Sequence, residues 1–158
     1  MTFRFPISPC AAGVAVLLTL ALAGPAQAQE NALESAVRAF GPDMTLPEGE
    51  NQSVRGDFNG DGREDVAAVV RGPDRSALVV FHSTGDGYDL RPLYTRLPSG
   101  DVQLHLVPPG RRSVVGNAAG VQLKNPAVEL VFPGRSSAMY VWEGGRYQVY
   151  GTESFYAR

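Results

Sequence analysis

The chain has 158 residues, of which 44% are hydrophobic and 19% charged, with 18 Gly, 12 Pro and a single Cys. Fourteen Lys and Arg against 16 Asp and Glu leave a formal charge of −2. That length suits one domain with a real core, and the balance excludes both a basic nucleic-acid-binding face and a highly charged disordered chain.

Residues 1–28 read as a secretory signal peptide. Arg4 and the free amine form a short positive start, Ala11 to Ala23 is a 13-residue apolar run, and Gly24-Pro25 break it. Ala26-Gln27-Ala28 then supplies the A-x-A pattern that places the cut before Gln29. The run is short of the roughly 20 residues that span a bilayer. A lipid anchor through Cys10 is disfavoured, because the apolar run follows Cys10 instead of preceding it. Loss of this segment removes one Arg, no acid and Cys10, so residues 29–158 carry 13 bases, 16 acids, a charge of −3 and no cysteine. The expected home is periplasmic or secreted, with no membrane span after signal removal. A fold without disulfides must there rest on core packing, with an ion as the available extra tie.

Leu33, Ala36, Val37 and Phe40 recur at helical spacing, which predicts one short amphipathic helix of about ten residues. Asn31 is its expected cap and Gly41-Pro42 its stop. Residues 42–52 read as a turn-rich connector. From Ser53 the helical period disappears and β punctuation begins. Val66 to Val70 and Ser76 to His82 are compact apolar runs, and Gly85-Asp86-Gly87 turns into Tyr88 to Tyr94. Three strands at this spacing describe an antiparallel meander, with Pro92 putting the third at an edge or a bulge. Residues 102–107 alternate as a half-buried strand. The three-part pattern then returns: Val128 to Phe132, Ser137 to Trp142, and Gly144-Gly145-Arg146-Tyr147 leading into a last strand, at offsets of 62, 61 and 59 residues. Repeat units at about 65–95 and 127–151 within one domain, 29–158, follow from this. Two units cannot close a propeller. The predicted fold is mainly β: an antiparallel meander or sandwich of two similar three-stranded units, with the helix covering one apolar face. Gly116 to Gly120 and Pro108-Pro109-Gly110 read as loops, and Arg111-Arg112 as a small solvated basic spot.

One loop, 57–65, carries ion chemistry. Asp57, Asn59 and Asp61 place oxygen side chains at alternate positions, Gly62 permits a sharp turn, and Asp65 follows. Calcium takes six to eight oxygens, and such a loop supplies them from Asp57, Asn59, Asp61, the carbonyl of Arg63 and Asp65, with water completing the shell. Three carboxylates leave a residual negative charge that Arg55 and Arg63 can soften from outside. The loop is not an EF-hand, because its twelfth position is Ala68 and it enters a strand. An ion-free turn held by Asx bonds is the plainer alternative, since Asn-Gly and Asp-Gly favour turns in their own right. Magnesium suits the set less well.

Gly56-Asp57-Phe58-Asn59-Gly60-Asp61-Gly62 and Asp65-Val66 resemble the FG-GAP and VCBS class of repeats, over roughly 30 residues. The resemblance implies calcium held between strands by Asp57, Asn59, Asp61 and Asp65. The chain carries one copy and not an array, and Val121 to Pro126, the equivalent approach to the second unit, has no carboxylate.

No nucleophile sits in a recognisable catalytic setting, and His82 and His105 both fall inside predicted strands. Tyr140, Trp142, Tyr147, Tyr150, Phe155 and Tyr156 crowd the second unit, as core pairs or as an exposed recognition surface. The expected function is therefore that of an exported calcium-binding protein with a non-catalytic binding or structural role, engaging a protein or glycan partner in the envelope. An inhibitor-like, partner-capturing protein is the alternative, and a metal-dependent hydrolase the weaker one.

Overall fold

A computed structural model describes residues 25–98 and 101–152. One helix, α1 (Pro25–Phe40), precedes ten strands: β1 (Ser53–Gly56), β2 (Asp65–Arg71), β3 (Ser76–Ser83), β4 (Tyr88–Leu97), β5 (Gln103–Val107), β6 (Gly110–Val114), β7 (Asn117–Leu123), β8 (Ala127–Phe132), β9 (Ser136–Glu143) and β10 (Arg146–Thr152). The segment predicted as a signal peptide lies outside the described residues up to position 24, as do Phe155 and Tyr156.

The strands form two four-stranded antiparallel sheets, β1-β2-β3-β4 and β10-β9-β8-β5, and a separate ribbon, β6-β7. Both sheets have one topology: a three-strand meander with a preceding strand laid against its first member. β1 plays that part beside β2, and β5 plays it beside β8. The fold class read from the sequence therefore holds, with each three-stranded unit extended by one strand.

The layers follow from side-chain alternation along buried strands. On β2, Ala67 and Val69 point between the sheets while Val66, Ala68 and Val70 point away, and every one is fully or almost fully buried. A strand with two buried faces reads as a continuous apolar run, which is why VAAVV shows no period-2 signal. The inner layer joins Phe58, Ala67, Leu78, Val80, Leu104, Val128, Leu130 and Tyr140. The outer face of the first sheet (Val66, Ala68, Val70, Val79, Phe81) is covered by Leu33, Ala36 and Val37 of α1 together with Met44. The outer face of the second sheet (Ala127, Met139, Val141) is covered by Val121 and Leu123 of the ribbon. Helix, sheet, sheet and ribbon thus make four layers and three apolar contacts.

Three expectations are corrected. The helix spans 16 residues, so Asn31 lies inside it and does not cap it. The preceding Ala26-Gln27-Ala28-Gln29 are good helix formers, and nothing in them breaks the turn begun at Pro25. The helix does stop at Gly41, whose N–H donates to Val37 O at 3.1 Å. Residues 117–120 and Gly110 belong to strands β7 and β6 and not to loops. Their outward positions are polar or small, which hid the apolar face formed by Val114, Val121 and Leu123. Arg112 sits on the inward side of β6, half-buried, and donates to Pro108 O at 2.8 Å, so it is not a solvated spot. Pro92 is placed as expected: β4 is an edge strand, and its register against β3 shifts between Leu78 and Val79. Among the described residues no helix is long and apolar enough to cross a membrane.

Leu130 is fully buried between the sheets, whereas Val149 on edge strand β10 is 60% exposed. Leu130→Ala is expected to cost about 2–5 kcal/mol and Val149→Ala less than about 0.5 kcal/mol, measured by urea unfolding. Equal losses at the two positions would contradict the layer assignment.

Candidate functional site

The loop predicted to bind an ion connects β1 to β2 and closes one end of the sandwich. Gly60 and Gly62 stand at φ of 78° and 84°, the left-handed region that glycine enters without strain. At Gly60 space is also required, because a Cβ there would lie 2.5 Å from the Asn125 side chain. These two turns fold the loop back on its own carboxylates. Asp57 Oδ1 accepts from Gly60 N at 2.7 Å and Asp61 N at 3.0 Å, and Asp57 Oδ2 accepts from Gly62 N at 2.9 Å. Asn59 Oδ1 accepts from Asp61 N at 2.9 Å, and Asp61 Oδ1 accepts from Arg63 N at 2.8 Å. The Arg63 N–H and the Asn59 side chain hold the Asp61 carboxyl below its ordinary range.

Asp65 behaves differently. It is completely buried at the start of β2. Its Oδ2 accepts from Phe58 N at 3.0 Å and Asn59 N at 3.4 Å, and its Oδ1 accepts from Ser83 N at 2.9 Å. One carboxylate thus ties the loop's entry to its exit and to the end of β3. Burial pushes its pKa up, against those donors and the nearby His82 ring. Most of the Asp side-chain oxygens thus face backbone N–H groups, and among the described residues no three Asp, Glu, His or Cys side chains are gathered as a ready-made metal shell. The donor set nevertheless fits a hard cation: Asp57 Oδ2, Asn59 Oδ1, Asp61 Oδ1 and Asp65 Oδ1 each accept a single N–H and keep a lone pair, whereas Asp57 Oδ1 already accepts two. Arg63 stands 3.5 Å from Asp61 Oδ2, as expected of a softening cation, whereas Arg55 pairs with Glu64 at 3.2 Å.

The sequence did not place His82 beside this loop. It is 4% exposed and faces inward from β3, with Nδ1 3.5 Å from Asn59 Nδ2 and Nε2 2.8 Å from the Tyr147 hydroxyl. Its ring meets Trp142 edge-on at 4.8 Å and Tyr147 at 5.7 Å, and Arg91 lies 5.9 Å from the Trp142 ring centre. Asn59 Nδ2 can only donate, so the set is satisfied with Nδ1 bare and the His82 proton on Nε2, shared with Tyr147. A second proton would set two donors against each other. Burial lowers the His82 pKa for the same reason that it raises that of Tyr147. A period-2 count along β3 places His82 with Leu78 and Val80 on the inner face, and that was the available signal.

Of the described aromatics in the second unit, Tyr140 is buried in the core and Trp142, Tyr147 and Tyr150 are half-buried against it. Tyr140 is 4% exposed in the inner layer, Trp142 and Tyr147 pack on His82, and Tyr150 packs in the ribbon cluster with its hydroxyl 3.2 Å from Glu143. His105 lies in β5 opposite Glu129. Clefts of about 400 Å³ between α1 and β1, and about 530 Å³ beneath the ribbon, do not include the loop. No protein-family model, curated protein or solved structure matches the chain.

Asp65→Ala is expected to cost roughly 2–5 kcal/mol, because it strands buried N–H donors, with Asp61→Ala in the exposed part of the loop costing less. Urea unfolding in EDTA separates them, and the reverse order would refute the anchoring role of Asp65. His82 gives a pH dependence. Its folded pKa lies below the ordinary 6.5, so the unfolded chain takes up its proton first and the stability it contributes declines as pH falls through 6.5 towards the depressed value. Asp65, raised by burial, acts with the opposite sign at lower pH. In EDTA, wild type should lose stability between pH 7.5 and 5.5, by at most about 1.4 kcal/mol per unit from this group, while His82→Gln loses less. Parallel profiles would show that His82 takes up its proton at the same pH in the folded and unfolded chain, and would refute the depressed folded pKa.

Proposed function

We propose that the chain is an exported, β-rich calcium-binding protein with a non-catalytic binding or structural role in the cell envelope. The observation that carries the reading is the loop itself. Asp57, Asn59 and Asp61 are folded into one turn by two left-handed glycines, with Asp65 pinned beneath them. Asp57, Asn59, Asp61, the Arg63 carbonyl and Asp65 are the residues that would hold the ion. Five protein donors and water suit the coordination number of calcium better than the small, water-retaining shell of magnesium. The signal sequence supports a periplasmic or secreted location, and residues 29–158 contain no cysteine to supply a disulfide in its place.

The loop joins β1 to β2, so an ion there would restrain the segment that Asp65 already ties. Its effect should be stability and not chemistry. His82 is the one imidazole beside the loop, and it is buried with Nε2 engaged by Tyr147, which disfavours the role of a general base for metal-dependent hydrolysis. The burial of Tyr140 and the stacking of Trp142 likewise disfavour partner capture through an aromatic surface.

Thermal melting of residues 29–158 in EDTA and across calcium concentrations tests the reading. Binding to the folded state alone adds RT ln(1+[Ca]/Kd), about 2.7 kcal/mol at 100 times Kd. The expected result is a calcium-dependent rise that Asp61→Ala abolishes and magnesium reproduces poorly. Superimposable melts with and without calcium would reduce the loop to a hydrogen-bonded turn.

A further inference from the structure

We infer that the mature chain begins with a pyroglutamate formed from Gln29. The inference rests on the export reading, because it needs the cut after Ala26-Gln27-Ala28, and it adds a covalent modification to it. Three structural facts make Gln29 a free, reactive terminus after that cut. Residues 26–30 of α1 are all exposed. The docked face of the helix starts only at Leu33, 5% exposed, and continues through Ala36 and Val37, so loss of the turn before Gln29 leaves the packing untouched. No described residue is hydrogen-bonded to the Gln29 side-chain amide, which borders an open cleft shared with Ala32, Ser83 and the Gly85-Asp86-Gly87 turn.

The step is an intramolecular acyl transfer. The neutral α-amine of Gln29 attacks its own side-chain carboxamide carbon, a C–N bond closes a five-membered lactam, one amine proton passes to the departing nitrogen, and the original C–N bond breaks to release ammonia. No oxidant or further reactant is needed. Tethering the nucleophile to its electrophile through three carbons supplies the proximity that such closures exploit. The fold favours the product in two ways. A terminal α-ammonium would stand at the positive end of the helix dipole, and cyclisation removes that charge. The ring formed is that of proline with an added carbonyl, and a helix accepts such a ring in its first position.

The test is intact mass and N-terminal sequencing of the full precursor expressed with export, after the purified product has stood at neutral pH. The expected product is residues 29–158 lighter by one ammonia and refractory to stepwise N-terminal degradation, whereas Gln29→Ala gives the unmodified mass and a readable terminus. A chain that starts at Gln29 with a free amine would overturn the inference and leave the export reading standing. A chain cut at another residue would likewise overturn the inference alone, and one that keeps residues 1–28 would overturn both.

Discussion

The buried carboxylate of Asp65 is the constraint on which the site depends. It accepts from N–H groups at two places far apart in sequence, the loop entry at Phe58 and Asn59 and the strand end at Ser83. An ionised carboxylate is tolerated in such a place only when donors replace its lost water, and the backbone supplies them here. Burial and donation oppose each other at this one group: burial raises its pKa and the N–H groups lower it. The loop conformation is therefore set from below by Asp65 before Asp57, Asn59 and Asp61 are considered. Their own bonds to backbone N–H groups then keep the exposed oxygens close together, so an incoming cation would meet a loop that is largely ordered already.

The rest of the architecture solves a burial problem. Two four-stranded sheets facing each other leave two apolar outer faces, and a chain of this length has few elements to cover them. The N-terminal helix covers one and the β6-β7 ribbon covers the other. Both covers are attached by short segments, with Thr45 bridging to Arg71 on one side and Val115 N bonding Gly151 O on the other. The second bond also closes part of the free edge of β10, a place where an unpaired strand would otherwise invite another chain.

Much of this was legible in the sequence because the strongest signals are local. Helical spacing found the docked face of α1, turn dipeptides found the strand boundaries of both meanders, and Pro92 marked β4 as the guarded edge. What escaped was non-local or cryptic. β1 has four residues, too few for periodicity to speak. The ribbon carries its apolar residues on one side of two short strands rich in Arg, Gly, Ala and Gln, a composition that imitates loops. The start of α1 overlaps the predicted signal segment, where the same residues read as a cleavage pattern. In the loop, residue types and spacing identified the candidate ligands, but not that Asp65 is an anchor. That role depends on Ser83, which lies 18 positions away. His82 against Tyr147 is likewise a product of the face-to-face packing of the two sheets, joining residues 65 positions apart.

The two halves differ most where their topology is the same. The connection from β1 to β2 is the acidic loop, and the corresponding connection from β5 to β8 contains the ribbon. The first closes the sandwich end with polar contacts and the second covers a sheet face with apolar ones. They also meet: the Asn125 side chain, just before β8, lies against Gly60 and approaches Phe58 O at 3.5 Å. Gly60 must lack a side chain both for its left-handed turn and because Asn125 fills the space. A residue of the second half therefore helps to fix the loop of the first. The loop thus depends on both sheets, through Asp65 and Ser83 in one and through the segment leading into β8 in the other. Its geometry is a property of the assembled sandwich, and an ion bound there would stabilise the packing of both halves and not a turn alone.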